Sequence, residues 1–131
     1  MYTQRVALGD LKLVYVIIAD KKLRYQNGRS KIAYIGTTKK GISRIAGSVA
    51  YRADKVLGLH GVRSFDVRVI ACRPRQKVKT WLLLERALLL AFRESFGEVP
   101  RCNSHGKKIK EVREFEVFSR HRLLTVIEDL S

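Results

Sequence analysis

One carboxylate stands out for its surroundings. Glu85 lies within the stretch from Trp81 to Phe92, and its neighbours three and four positions away are Trp81, Leu82, Leu88 and Leu89, all apolar. A charge held out of water without a partner is costly. Glu85 therefore needs an arginine in a buried ion pair, a reach toward a polar stripe, or a metal ion. A lone carboxylate completed by water and phosphate oxygens suits Mg²⁺, which keeps much of its hydration shell. Four other polar side chains stand at ordered intervals: Tyr15, Tyr34, Arg44 and Asn103. Each has a plain reading of its own. A strand tyrosine is usually a half-buried packing residue, Arg44 a solvated charge or a non-specific phosphate contact, and Asn103 a turn residue after Pro100.

The elements that must hold these residues are legible from periodicity. Leu11 to Ala19 (LKLVYVIIA) and Lys31 to Gly36 (KIAYIG) read as strands, rich in β-branched and aromatic residues. Between them DKKLRYQNGRS reads as a long loop, with Asn27-Gly28 as a hairpin turn signal that pairs the strands antiparallel. Tyr15 and Tyr34 then meet if the register does not shift. After the polar turn Thr37 to Gly41, Ile42 to Leu57 is helical. Ile42, Ile45, Ala46, Val49, Ala53 and Val56 form its apolar stripe, and Arg44, Ser48, Tyr51, Arg52 and Lys55 a mostly basic face. His60-Gly61 breaks the helix, and Phe65 to Cys72 alternates as a third strand.

Gln76 to Phe96 reads as the longest helix, closed by Gly97 and Pro100, with Lys79, Arg86 and Arg93 as a narrow solvent stripe. Glu114 to Phe118 is a short extended piece, and Ser119 caps a last helix through Ile127. The pattern β-β-α-β-α-(β)-α predicts an α+β fold: a small antiparallel three-stranded sheet flanked by helices. At 131 residues the chain reads as one domain, residues 1–131, with a core over about 11–103 and a C-terminal helical extension over 104–131.

Charge narrows the function. Lys and Arg number 27 against 12 Asp and Glu, a net +15 with a pI near 10.4. Such a field attracts polyanions at long range, so nucleic acid is the expected partner. A basic protein that merely stays soluble is the bland alternative. An anionic membrane surface lacks its basic amphipathic anchor helix here, and no apolar run is long enough to span a bilayer. Cys72 and Cys102 make no disulfide scaffold or zinc pattern. The N-terminus MYTQRVALGD lacks the apolar core of a signal peptide. A soluble intracellular protein, cytoplasmic or nucleoid-associated, is the expectation, with a homodimer left open.

The ordered set resembles a known family. Val14-Tyr15-Val16 followed by Tyr34-Ile35-Gly36 is similar to the paired tripeptides of the GIY-YIG nuclease superfamily. Arg44 stands ten residues after Tyr34, Glu85 in the LLLERALL helix after the third strand, and Pro100-Arg101-Cys102-Asn103 like the family's proline-to-asparagine segment. The resemblance implies a metal-dependent DNA endonuclease with one Mg²⁺ or Mn²⁺. In it one or both tyrosines position or deprotonate the attacking water, or a tyrosine is itself the nucleophile, while Arg44 clamps the scissile phosphate, Glu85 holds the ion and Asn103 orients the site. Lys39, five residues after Tyr34, is a second cation near the phosphate or the tyrosine. A free phenol has a pKa of ~10, so a nearby cation must lower it before it acts as a base near neutral pH.

The chain departs from the family pattern at three places. Val14 stands where the signature has glycine, the tyrosines are nineteen residues apart, which implies an extended hairpin or an inserted loop, and Ser48 occupies a position where some members carry histidine. Four basic segments (DKKLRYQNGRSK, TTKK, CRPRQKVK and SHGKKIK) would flank the cleft. Lys39, Lys40, Arg52, Lys55, Arg73, Arg75, Lys107 and Lys108 are the expected nucleic-acid contacts, giving affinity with little sequence information. Recognition of DNA shape or weak sequence preference follows. Tyr25 either stacks on a base or packs under its own hairpin. The rival is a non-catalytic basic DNA- or RNA-binding protein.

Overall fold

A strand that is covered on both faces is uniformly apolar rather than alternating, and the LVYVIIA run has that character. In a computed structural model, which describes residues 13–38, 42–59, 61–71, 80–103 and 120–131, this run is the start of the central strand. The elements in order are β1 (Leu13–Tyr25), β2 (Gly28–Thr38), α1 (Ile42–Leu57), β3 (Phe65–Ala71), α2 (Thr80–Phe96) and α3 (Arg120–Leu130). The three strands form one sheet in the order β2-β1-β3, both pairings antiparallel, and helices accompany it: an α+β fold. Leu13, Val14, Tyr15, Val16 and Ile17 are all buried, as a central strand requires.

The stretch read as a long loop is instead strand. β1 runs through DKKLRY to Tyr25, β2 starts at Gly28, and the turn is Gln26-Asn27. Gly28, at φ 119, opens β2 rather than sitting inside the turn, a conformation that favours glycine. The extra length is absorbed by a bulge. Ile18 pairs with Ile32 and Leu23 with Ser30, so Ala19 to Lys22 face the single residue Lys31. The bulged residues grip the approach to β3: the Asp20 amide donates to the Ser64 carbonyl (3.0 Å), and the Asp20 carboxylate accepts from the Arg63 amide (3.2 Å).

The hairpin tip is fastened to the end of α2. The Asn27 amide donates to the Phe96 carbonyl (3.0 Å) and the Gln26 amide to Glu98 Oε2 (2.8 Å). Tyr25 is buried, with its ring edge-on to Phe92 at 4.9 Å; its hydroxyl donates to the Ile32 carbonyl (2.6 Å) and accepts from the Arg101 amide (3.1 Å). Tyr25 packs under its own hairpin and is not placed to stack on a base. Gly97, at φ 79, closes α2 by donating its amide to the Arg93 carbonyl (2.7 Å), which satisfies an end carbonyl of the helix.

α1 turns Val56 into the core and rests Val49 against it, as its stripe predicts, while Tyr51 faces outward. α2 buries Ala87, Leu88, Ala91 and Phe92 and packs against α3, which contributes Leu123 and Ile127. Complete burial of a side chain such as Phe92 is worth roughly 1.5–3 kcal/mol. α3 extends past Ile127 to Leu130. The beginning proposed for α2 at Gln76, the extended piece Glu114 to Phe118, the cap Ser119 and Cys72 lie outside the described residues. Among the described residues, no helix is long and apolar enough to cross a membrane.

Candidate functional site

The β1–β2 register decides whether the two tyrosines meet. Tyr15 pairs with Gly36 and Ile17 with Tyr34, so Tyr15, Tyr34 and Gly36 share one face of the sheet. The Tyr15 and Tyr34 rings stand 5.8 Å apart, tilted by 39°, and their hydroxyls share a hydrogen bond. Gly36 is what lets them fit. A Cβ there would lie 2.4 Å from Tyr34 Cε2 and 3.0 Å from both Cζ and the hydroxyl of Tyr15. Its role was missed in the sequence, although a glycine inside a strand is itself a sign of a close approach.

Arg52 comes from the basic face of α1 and lies over Tyr34, with Cζ 4.6 Å from the ring centroid and a hydrogen bond to the phenol. It also sits 5.2 Å from the exposed Tyr51 ring. Sequence reasoning grouped Arg52 with the general nucleic-acid contacts; only the packing of α1 on the sheet reveals it as a cation on Tyr34. Glu85 is only 8% exposed, and its carboxylate acts electrostatically on Tyr34 from α2. The apolar neighbourhood read around Glu85 is real: Leu88 and Leu89 are buried.

Asn103 is buried and clamps the free edge of β2. Its Oδ1 accepts from the Ile35 amide (3.0 Å) and its Nδ2 donates to the Ile35 carbonyl (2.9 Å). Beside it the Cys102 amide donates to the Ala33 carbonyl (2.9 Å). The segment 102–103 thus acts as a short surrogate strand that satisfies an otherwise open edge on either side of Tyr34. Cys102 is a buried free thiol, and burial raises its pKa against the opposing influence of Lys55 and Arg52.

The phenol of Tyr34 is not primed as a base. Burial raises its pKa, Arg52 lowers it, Glu85 raises it, and the hydrogen bonds to Tyr15 and Arg52 lower it, with the balance upward. Arg52 supplies the kind of cation that sequence reasoning called for, but desolvation outweighs it. At neutral pH Tyr34 is a neutral hydrogen-bonding group.

Of the other expected site residues, Arg44 belongs to α1 two turns before Arg52, and its side chain lies outside the described residues. Lys39, Lys40, Arg73, Arg75, Lys107 and Lys108 also lie outside them. Lys55 is exposed, one turn beyond Arg52 on α1. Among the described residues, no three His, Cys, Asp or Glu side chains group to hold a metal. What the site offers an ion is the Glu85 carboxylate, within electrostatic reach of the Tyr34 phenol, and a lone hard-oxygen ligand would suit Mg²⁺ retaining most of its water better than a metal needing a protein cage. A concavity of about 400 Å³, lined by Gln26, Arg93, Glu98, Arg101 and Asn103, lies at the hairpin-tip side. No family model, curated protein or solved structure matches the chain.

Proposed function

We propose that the chain is a metal-dependent DNA endonuclease of the GIY-YIG type that hydrolyses a phosphodiester bond with a single divalent ion. The observation carrying this reading is the convergence of two phenols, a guanidinium and a buried carboxylate from four separate elements, with Asn103 locking the strand that bears Tyr34. Hydrolysis of a phosphodiester needs a positioned water, charge stabilisation on the phosphoryl oxygens and help for the leaving oxygen. Tyr15 and Tyr34, held together, orient the attacking water by hydrogen bonds, and Tyr34, its pKa raised by burial, does so without removing the water's proton. Arg52 keeps Tyr34 oriented and, with Arg44, presents guanidinium donors to the phosphate.

Glu85 would hold the divalent ion, which when bound supplies Lewis-acid charge neutralisation and a more acidic water. The net charge of +15 draws DNA to the site. A non-catalytic nucleic-acid-binding protein is the second reading, and the burial of both Tyr34 and Glu85 favours it, because Tyr34 already spends its hydroxyl on Tyr15 and Arg52 and a buried polar group of this kind can serve the fold alone. A cleavage screen separates the two. Supercoiled, branched and single-stranded DNAs are incubated with Mg²⁺ or Mn²⁺, with and without chelator, using wild type and Glu85→Gln. The nuclease reading expects nicking that chelator and Glu85→Gln abolish while DNA binding persists. Binding without any cleavage by either metal leaves only the second reading.

A further inference from the structure

The segment from Lys21 to Lys31 carries five cations and no carboxylate. It is a fixed ribbon, since it forms the outer half of the β1–β2 hairpin and its tip is bonded to Phe96 and Glu98. Leu23 and Tyr25 point into the protein, while Lys22, Arg24, Arg29 and Lys31 are exposed. Arg24 and Arg29 are directly opposite each other in the ladder. Like charges in cross-strand register repel and destabilise the pairing, so this arrangement opposes the hairpin that carries it. A row of phosphates removes that repulsion. Arg101 extends the basic surface sideways, donating from Nη2 to the Arg24 carbonyl while lying over the Tyr25 ring.

We infer that the exposed side of this ribbon, Lys22, Arg24, Arg29 and Lys31, is a docking site for the phosphate backbone of duplex DNA, separate from the Tyr15–Tyr34 site. The proposal deepens the nuclease reading by adding where the substrate is held. Arg29 and Gly36 are seven residues apart along β2, roughly 23 Å at the rise of a strand. That distance spans about seven base pairs of duplex, so the ribbon grips DNA away from the bond that is cut. Because the contacts are to phosphates, they add affinity and salt sensitivity without reading sequence.

The test measures binding of a labelled 30-base-pair duplex in chelator across a range of NaCl, with no cleavage involved. Arg24→Ala/Arg29→Ala is compared with Arg63→Ala/Arg68→Ala, which removes the same charge from exposed positions elsewhere. Each phosphate contact contributes about 0.9 to the slope of log affinity against log salt, so the ribbon pair should lower the slope by about 1.8. Between 50 and 200 mM salt the ribbon variant then loses about 12-fold less affinity than wild type. Its thermal midpoint should not fall, since the repelling pair is gone; if the alanine pair fails to fold, Arg24→Gln/Arg29→Gln replaces it. Equal slopes for the two double variants, or tighter binding to RNA than to the DNA duplex, overturn the proposal. If wild type binds the duplex with this signature yet cuts no DNA, the nuclease reading falls and the docking site stands.

Discussion

Replacing Gly36 by alanine sets two effects of opposite sign against each other. Gly36 has no positive φ, so alanine fits the backbone, and loss of glycine's freedom in the unfolded chain alone would stabilise the protein by about 0.4–1 kcal/mol. Against this, the new methyl would sit 2.4 Å from Tyr34 Cε2, where ordinary contact begins near 3.4 Å. The Tyr34 ring would therefore have to move by roughly 1 Å, a shift set by those two distances. It has little room, with Arg52 at 4.6 Å over its face and Tyr15 at 5.8 Å. Overpacking of this kind costs about 1–3 kcal/mol. The clash outweighs the entropy gain, and the net is a loss of about 0–2.5 kcal/mol, or up to roughly 10 °C in Tm for a domain of this size. On the proposed nuclease reading, displacing a positioning phenol by about 1 Å should lower the nicking rate by about 10²-fold. Urea melts, near-ultraviolet circular dichroism of the tyrosines and plasmid nicking measure the three effects. A variant that is more stable than wild type, with an unchanged tyrosine spectrum, would refute the packing of the two rings over Gly36.

Three further outcomes are expected. Asn103→Ala removes both bonds to Ile35 and leaves an amide and a carbonyl of the β2 edge without them, so denaturant melts should record a loss of about 2–4 kcal/mol; an unchanged melt would show that the clamp contributes nothing. Alkali should unfold the protein in a defined direction, because burial raises the phenols of Tyr25 and Tyr34 above the ordinary value of 10.0. Above pH ~10 the unfolded chain ionises these groups and the native state does not, so stability is full below that pH and falls by about 1.4 kcal/mol per pH unit for each tyrosine, up to its native pKa. Melts from pH 8 to 11.5 check the slope, and Tyr25→Phe should flatten it. Arg52→Gln removes the charge that opposes burial at Tyr34, so the Tyr34 phenol should titrate still higher in absorbance at 295 nm; a lower titration would contradict the cation–ring contact.

The sequence by itself determined the order of elements, the amphipathic stripe of α1, the stop of α2 at Gly97 and the demand that Glu85 find a polar neighbour. These are local matters of periodicity, backbone freedom and the cost of burying a charge, and each is written within a few residues. It also supplied, through an ordered resemblance, Tyr15, Tyr34, Arg44, Glu85 and Asn103 as one set. Three things were decided only by the tertiary structure. DKKLRY and GRSK look like a loop because they are polar, yet they form strand: pairing across a two-residue turn and anchoring to Phe96 and Glu98 override the local preference. Arg52 emerges as a cation on Tyr34, because helix packing, not sequence distance, chooses which side chain lies over a ring. Asn103 grips Ile35 from sixty-eight residues away, a bond that depends on where the chain returns to the sheet edge. Spacing along a chain specifies which face a residue takes within its own element, but not which element that face will meet.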